Sequence, residues 1–341
     1  IFSADFQLAS EIRLGRYLIR ASVGDRKAEK TLKVDRYVLP KYKVVLDTDE
    51  SYYKPGEKVK GTVSADYFFG KPVAGGKVTV TAETFDVEFH RVAEVKGRTD
   101  EDGNLEFEMT LPDYFAGQPL EQGDAFVKLT AKVIDQAEHE EEAVVQRKIS
   151  ATDLNLEVVP EAGRLIPGVK NTLYVVASTP DDKPAQAEVT VKTGSRTLTA
   201  RTDRAGIASV GFVPEYDEFS QNGNSLELTL KARAEDATGN EVEISRSFSA
   251  QGRNDNVLLR TDRALYSSGE DMDIEVLSTR RRGTVYIDVI KNRQTVLTRS
   301  VDLKDGRGHT RVSIGPDIFG TLEVHAYSIL GDGEIMRDSR V

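Results

Sequence analysis

Three sequence signals recur in the same order along the chain at a spacing of about 100 residues, and this long repeat constrains the fold more than any other feature. The first is a turn leading into a strand: Tyr53-Lys54-Pro55-Gly56-Glu57, Leu165-Ile166-Pro167-Gly168-Val169 and Tyr266-Ser267-Ser268-Gly269-Glu270, with glycines 112 and 101 residues apart. The second is a Lys-Pro pair ahead of an alternating strand, Lys71-Pro72 and Lys183-Pro184, again 112 residues apart and absent from the third copy. The third is a hairpin turn: Arg98-Thr99-Asp100-Glu101-Asp102-Gly103-Asn104, Arg201-Thr202-Asp203-Arg204-Ala205-Gly206-Ile207 and a weaker Asp302-Leu303-Lys304-Asp305-Gly306. Its glycines lie 103 and 100 residues apart.

Between these signals run short stretches of alternating apolar and polar residues, such as Val78 and Val80 with Thr79 and Thr81, or Leu226, Leu228 and Leu230 with Glu227 and Thr229. That period places one face of each strand in a core and one in water. Helical periodicity is not sustained. A unit of about 100 residues made of such strands buries its own core, unlike a solenoid repeat, so the chain is expected to be all-β: tandem antiparallel β-sandwiches of the immunoglobulin or fibronectin III kind. Each unit ends in a two-stranded element, within 126–149, 226–248 and 322–341, with turns at 238–240 and 331–333 in the last two. The same element also opens the chain: 17–23, a turn at Gly24-Asp25, and 28–34. This hairpin is expected to pack on the next domain or to fray, because a lone hairpin is marginal in water.

Length agrees, since 341 residues exceed one ordinary core. With 46 basic and 56 acidic residues the net charge is −10, and the basic residues form no stripe, which weighs against a nucleic-acid partner. No apolar run approaches the roughly 18–20 residues that span a bilayer. Cysteine is absent, excluding disulfides, thiolate metal sites and Cys nucleophiles. An Asn-x-Ser/Thr sequon is absent too; together these weigh toward a bacterial rather than an animal plasma protein. A start at Ile1 without a signal segment suggests an interior piece of something longer.

No residue set argues for catalysis, a cofactor or a metal, and no binding residues can be named. His90, His139, His309 and His325 lie far apart in sequence and in no metal-ligand spacing. Asp100-Glu101-Asp102-Gly103-Asn104 has the acid density of a calcium loop but not its ligand order, so turn chemistry accounts for it. Glu138 and Glu140 to Glu142, around His139, are expected in a solvated loop that protects a sheet edge. Arg280-Arg281-Arg282 is expected to form local ion pairs. Two irregular segments, 112–124 with Tyr114 and Phe115 and 214–224 with Tyr216 and Phe219, fit either an interface or a crossover with its aromatics tucked into a core. No phosphate loop or nucleophile elbow occurs, and an enzyme is not expected.

Tyr37-Val38-Leu39-Pro40-Lys41-Tyr42-Lys43-Val44, followed by Tyr53-Lys54-Pro55-Gly56 and Tyr67-Phe68-Phe69-Gly70-Lys71-Pro72-Val73, resembles the junction of the second and third macroglobulin domains in the α2-macroglobulin and complement C3 superfamily. The ending Gly320-Thr321-Leu322-Glu323-Val324-His325-Ala326-Tyr327, with Gly331-Asp332-Gly333-Glu334, resembles the family's fifth domain. The resemblance implies that 1–37 is the end of a second domain and that 38–152, 153–252 and 253–341 are the third, fourth and fifth, joined by short linkers near 36–40, 150–154 and 250–256. It implies a non-catalytic scaffold from a broad-spectrum endopeptidase inhibitor, lacking the bait region and the Cys-x-Glu-Gln thioester. Its partners would be proteases, through the parent protein, and neighbouring macroglobulin domains; its location would be extracytoplasmic, secreted or in the bacterial periplasm or envelope. A bacterial adhesin or envelope spacer of immunoglobulin-like domains is the alternative. A carbohydrate-active enzyme would need its catalytic domain elsewhere, and tryptophan, the usual sugar platform, is missing.

Overall fold

A computed structural model describes residues 13, 15–23, 26–34, 39–85, 88–115, 125–194, 196–222, 225–250, 255–316, 318, 320–331 and 333–341. The expected turn at Gly24-Asp25, the Tyr37-Val38 half of the junction motif, most of 112–124, part of the 250–256 linker and Asp332 lie outside them. Two compact units are present, one comprising 1–50, 57–112 and 127–147, the other 51–56, 113–126 and 148–341. Among the described residues the architecture is all-β, broken by one 3-10 turn, and consists of antiparallel sandwiches in tandem.

In the first unit, β1 (Gly15–Val23) and β2 (Arg26–Val34) form the hairpin expected at the start, as a two-stranded sheet of its own. Two sheets then face each other. One is built from β3 (Tyr42–Thr48), β5 (Lys58–Tyr67) and β8 (Asn104–Thr110), in that order. Between β3 and β5 comes the two-residue β4 (Tyr52–Tyr53), which belongs to the second unit and pairs in parallel with Lys148 and Ile149. The other sheet holds β6 (Lys77–Phe85), β7 (Phe89–Arg98), β9 (Ala125–Ile134) and β10 (Glu140–Ile149), in the order β10-β9-β6-β7. Alternation fills the space between them: Val59, Val63, Val78, Val80, Leu129, Ala131 and Val133 are all buried.

In the second unit, β11 (Asn155–Pro160), β12 (Asn171–Ser178) and β15 (Ile207–Phe212) pair in that order. Opposite them lie β13 (Ala187–Thr193), β14 (Arg196–Arg201), β16 (Ser220–Asn222), β17 (Ser225–Asp236) and β18 (Glu241–Ala250), with β17 pairing β13, β16 and β18. One core lies between, from Leu156 and Leu173 to Val191, Leu228 and Leu230. The final strands are β19 (Val257–Thr261), β20 (Asp271–Ser278), β21 (Arg282–Lys291), β22 (Gln294–Lys304), β23 (Arg307–Ser313), β24 (Glu323–Ile329) and β25 (Ile335–Arg340). They repeat the same order of strands, but the tight turn at Asp305-Gly306 pairs Lys304 with Arg307, so that both layers merge into one seven-stranded sheet curled around its core. Its two edges meet where the Leu259 N–H donates to Asp338 Oδ2 at 2.9 Å.

The repeated signals have repeated structures. Asp100 Oδ1 accepts the N–H groups of Asp102 and Asn104, and Asp203 Oδ1 those of Ala205 and Ile207, so the acid starts an Asx turn rather than holding a cation. The next glycine, Gly103, Gly206 or Gly306, has a φ between 76° and 80°, and its carbonyl accepts an N–H from the facing strand, that of Ala65, Ala177 or Ser278. A side chain there would strike that strand's own carbonyl oxygen, so both conformation and space require glycine. The preceding threonine is buried in the two stronger copies: Thr99 Oγ accepts the Gly76 N–H at 2.9 Å, and Thr202 Oγ accepts that of Ala187 at 2.8 Å. The Lys-Pro pairs set the isolated bridges Asp66 to Pro72 and Ser178 to Pro184.

Candidate functional site

Among the described residues of the second unit, a polar network joins the 155–250 sandwich to the 257–340 sheet. Alternation puts Arg260 on the same register of β19 as Leu258, opposite the inward Val257 and Leu259, and its guanidinium reaches back across the junction. Nε donates to Glu161 Oε2 at 2.6 Å and Nη2 to Glu161 Oε1 at 2.7 Å, the two-pronged geometry that makes arginine and carboxylate a specific pair. Nη2 also reaches the Lys170 carbonyl at 3.0 Å, and Nη1 reaches Glu275 at 3.2 Å. Hydrogen bonding to Glu161 raises the Arg260 pKa against the opposing effect of burial. The Glu161 side chain is only 8% exposed and also accepts the Thr172 N–H, so its charge is balanced almost wholly by Arg260.

Apolar packing backs this pair. Ile166 and Val169, from the Pro-Gly turn, meet Leu258 and Leu277 in a small buried cluster, with Ala162 at its margin. Asn171, fully buried, fixes that turn: its amide donates to the carbonyls of Ile166 and Val169 and accepts the Ile166 N–H, each at 2.8 Å. Asn256 then donates to the Tyr216 hydroxyl at 2.5 Å, while burial raises the Tyr216 pKa. On the other side, Arg164 approaches Asp338 at 3.5 Å.

A second polar cluster in this unit surrounds the turn at 179–183. Ser51 donates to Asp181 at 2.9 Å, Lys148 pairs with Asp182, and Lys54 pairs with Asp153 at 2.7 Å. Burial would raise the Asp181 carboxyl, but hydrogen bonds from Lys183, Thr179 and Ser51 outweigh it and bring the carboxyl down to about 2. These contacts tie the 179–183 turn to the segments that carry Ser51 and Lys148.

The residues singled out from sequence are dispersed. His139 Nδ1 lies 3.0 Å from Asp135, His309 is 3.5 Å from Asp273 and His325 is 3.2 Å from Glu323, while His90 is exposed in β7. Among the described residues no three His, Asp or Glu side chains gather as metal ligands, and no helix is long and apolar enough to cross a membrane. The acidic run is not a free loop: only Glu138 is in the turn, Glu140 to Glu142 lie in β10, Glu140 pairs with Lys132 at 2.6 Å, and Glu141 accepts the Lys41 N–H. Charge along an edge strand finds cross-strand partners, which is why the expectation of a solvated loop is corrected here. Arg281 forms the local pair expected of its cluster, with Asp305 at 3.1 Å. Both readings of 214–224 hold in part, since Phe219 is in the sandwich core and Tyr216 faces the junction. In 112–124, Phe115 is buried, Tyr114 is exposed, and 116–124 lie outside the described residues. The roles of Arg260, Glu161, Asn171 and Asp338 are not among the sequence expectations; the Pro-Gly turn before Asn171 and the alternation that places Asp338 in register with Met336 are the signals the sequence holds.

Comparison with known proteins agrees with the resemblance. Residues 36–115 match the family model for macroglobulin domain MG3. The α2-macroglobulin of Thermotoga maritima is 26% identical over 216 residues, and that of Ralstonia nicotianae 37% identical over 78 residues. These matches take in 63% and 23% of this chain but only 14% and 5% of the relatives, so the chain corresponds to a small part of either. Among solved structures, trypsin-activated α2-macroglobulin from Escherichia coli aligns with 96% of this chain and 25% of its own, at 14% identity and a TM-score of 0.41. Residues 36–115 are a macroglobulin domain of the MG3 kind, and over 216 residues the chain is similar to an α2-macroglobulin.

Proposed function

We propose that this chain is a non-catalytic scaffold segment of an α2-macroglobulin-like endopeptidase inhibitor, acting outside the cytoplasm of a bacterium. Residues 38–152, 153–252 and 253–341 would be its third, fourth and fifth macroglobulin domains, and 1–37 the end of the second. The match of 36–115 to the MG3 domain is the observation that supports this reading, the next two units being counted on from it by the 100-residue repeat. The junction around Arg260 supports it in physical terms: a frame that must keep its shape while another part of the protein is cleaved needs domains coupled by more than a linker.

Sequencing the parent gene beyond Val341 tests this. A protease-sensitive stretch followed by Cys-x-Glu-Gln makes the chain the frame of a thioester trap, and the stretch without the motif leaves a steric trap. Further sandwich repeats ending in a surface anchor would overturn the proposal in favour of an adhesin.

A further inference from the structure

A groove of about 860 Å³ runs along one side of the 155–250 sandwich. It is lined by the consecutive residues 154–158, at the start of β11, and 242–246, in β18, with Val176 and Ser178 beside them. Consecutive residues belong to both faces of a strand, so the groove follows two strand edges rather than one face of a sheet. Neither edge carries a further strand among the described residues: β11 pairs with β12 and β18 with β17, in separate sheets. Such an edge presents a row of main-chain N–H and C=O groups to which another strand can add. In β18 the register is unbroken, and no proline or bulge bars an addition.

The other two sandwiches close the same seam with polar groups. In the first, the Tyr42 hydroxyl crosses to the carbonyls of Val133 and His139; in the last, Asp338 accepts the Leu259 N–H. The bridges Asp66 to Pro72 and Ser178 to Pro184 align the first two copies 112 residues apart, which puts Leu154 in the place of Tyr42. Leucine cannot make that crossing bond. The bottom of the groove is apolar, since Leu154, Leu156 and Val158 are buried, and Val242 and Ile244 on the β18 side are only partly covered. Its rim is acidic. Glu157 and Glu243 are both exposed; Glu157 has no hydrogen bond or ion pair among the described residues, and Glu243 lies in the field of Arg233 without a direct pair.

We propose that this groove binds an extended peptide of a partner protein, added as a strand along β18. The peptide would set apolar side chains at alternate positions beside Val242 and Ile244 and carry basic side chains between them that answer Glu157 and Glu243. Main-chain hydrogen bonds supply affinity in this mode, and the alternate side chains supply selectivity. The site does not depend on the protease-trap reading. Its test uses the 341-residue chain and the fluorescein-labelled peptide Lys-Val-Lys-Val-Thr-Val-Lys, read by anisotropy and by hydrogen exchange of the chain. Saturable one-to-one binding is expected, with slower exchange in 241–250. N-methylation of two alternate amides should weaken binding roughly 10- to 100-fold along one edge of the peptide and hardly at all along the other, because one edge alone meets β18. The acidic peptide Glu-Val-Glu-Val-Thr-Val-Glu should bind about three- to tenfold more weakly, and Glu157→Lys with Glu243→Lys should reverse that order. Absence of saturable binding, equal binding of a scrambled peptide without alternation, unchanged exchange in 241–250 or an unreversed charge preference overturns the proposal. So does a dimer already protected at 241–250 without peptide, which would assign the groove to a second copy.

Discussion

Replacing Arg260 with methionine removes the paired groups on one side of the junction and keeps much of the apolar stem. This leaves the Glu161 carboxylate, 8% exposed, with the Thr172 N–H as its remaining main-chain partner. Breaking a buried pair from one side costs about 3–5 kcal/mol, and because the Arg260 side chain is 26% exposed, about 2–3 kcal/mol is the fitting figure here. Adding Glu161→Gln removes the stranded charge and should recover about 1–2 kcal/mol, a coupling that neither change shows alone. Hydrogen exchange read by mass spectrometry on the whole chain localises the effect. Amides of β12 and β19 should exchange roughly 30- to 150-fold faster in Arg260→Met, with those of β3, β5 and β8 unaffected. A change below about threefold in β12 and β19 would refute the claim that this ion pair couples the two sandwiches.

Three further outcomes are expected from the same structure. Asn171→Ala leaves three main-chain groups of the Pro-Gly turn unpaired in a fully buried place and should lower stability by about 2–4 kcal/mol, measured by urea unfolding followed at peptides of 155–178. Gly206→Ala should cost about 1–3 kcal/mol by the same measurement, because φ is +76° and the new methyl would meet the Ala177 carbonyl, whereas Gly239→Ala, with nothing nearby, should lose only through the backbone conformation. The Tyr42 hydroxyl donates to Val133 and His139 carbonyls, and burial, with Asp135 and Glu141 nearby, pushes its pKa up to about 12. The folded state therefore favours the protonated phenol, so this contribution is complete below about pH 10 and is lost as pH rises toward the folded value. Alkaline melts between about pH 9 and 12, conditions set by those limits, should show a steeper decline in wild type than in Tyr42→Phe, which keeps the part due to the other raised tyrosines such as Tyr67 and Tyr216.

The fold was legible because the repeat carries its own chemistry. Thr99 and Thr202, Asp100 and Asp203, and the glycines behind them do the same jobs 103 residues apart, so their recurrence in sequence is recurrence of one turn. Merging of the last two layers into one sheet was not legible, because it depends on a single pairing at a tight turn. The junction was hidden for another reason: Arg260 and Glu161 are 99 residues apart and each sits at a polar position of an alternating strand or turn, the pattern of any solvated charge. Asp338 offered a faint signal. It shares the inward register of β25 with Met336, and a carboxylate in that register calls for a partner that the sequence cannot name.

The central claim is that these sandwiches frame a protease trap, and one assay on the parent protein addresses it. Trypsin is incubated with the parent, and its activity is then measured on a small chromogenic peptide and on a large protein substrate. A trap predicts that peptide hydrolysis persists while protein hydrolysis falls at least tenfold, since an enclosed enzyme keeps its active site but loses access to large partners. Equal activity on both substrates, or equal loss on both, contradicts the account.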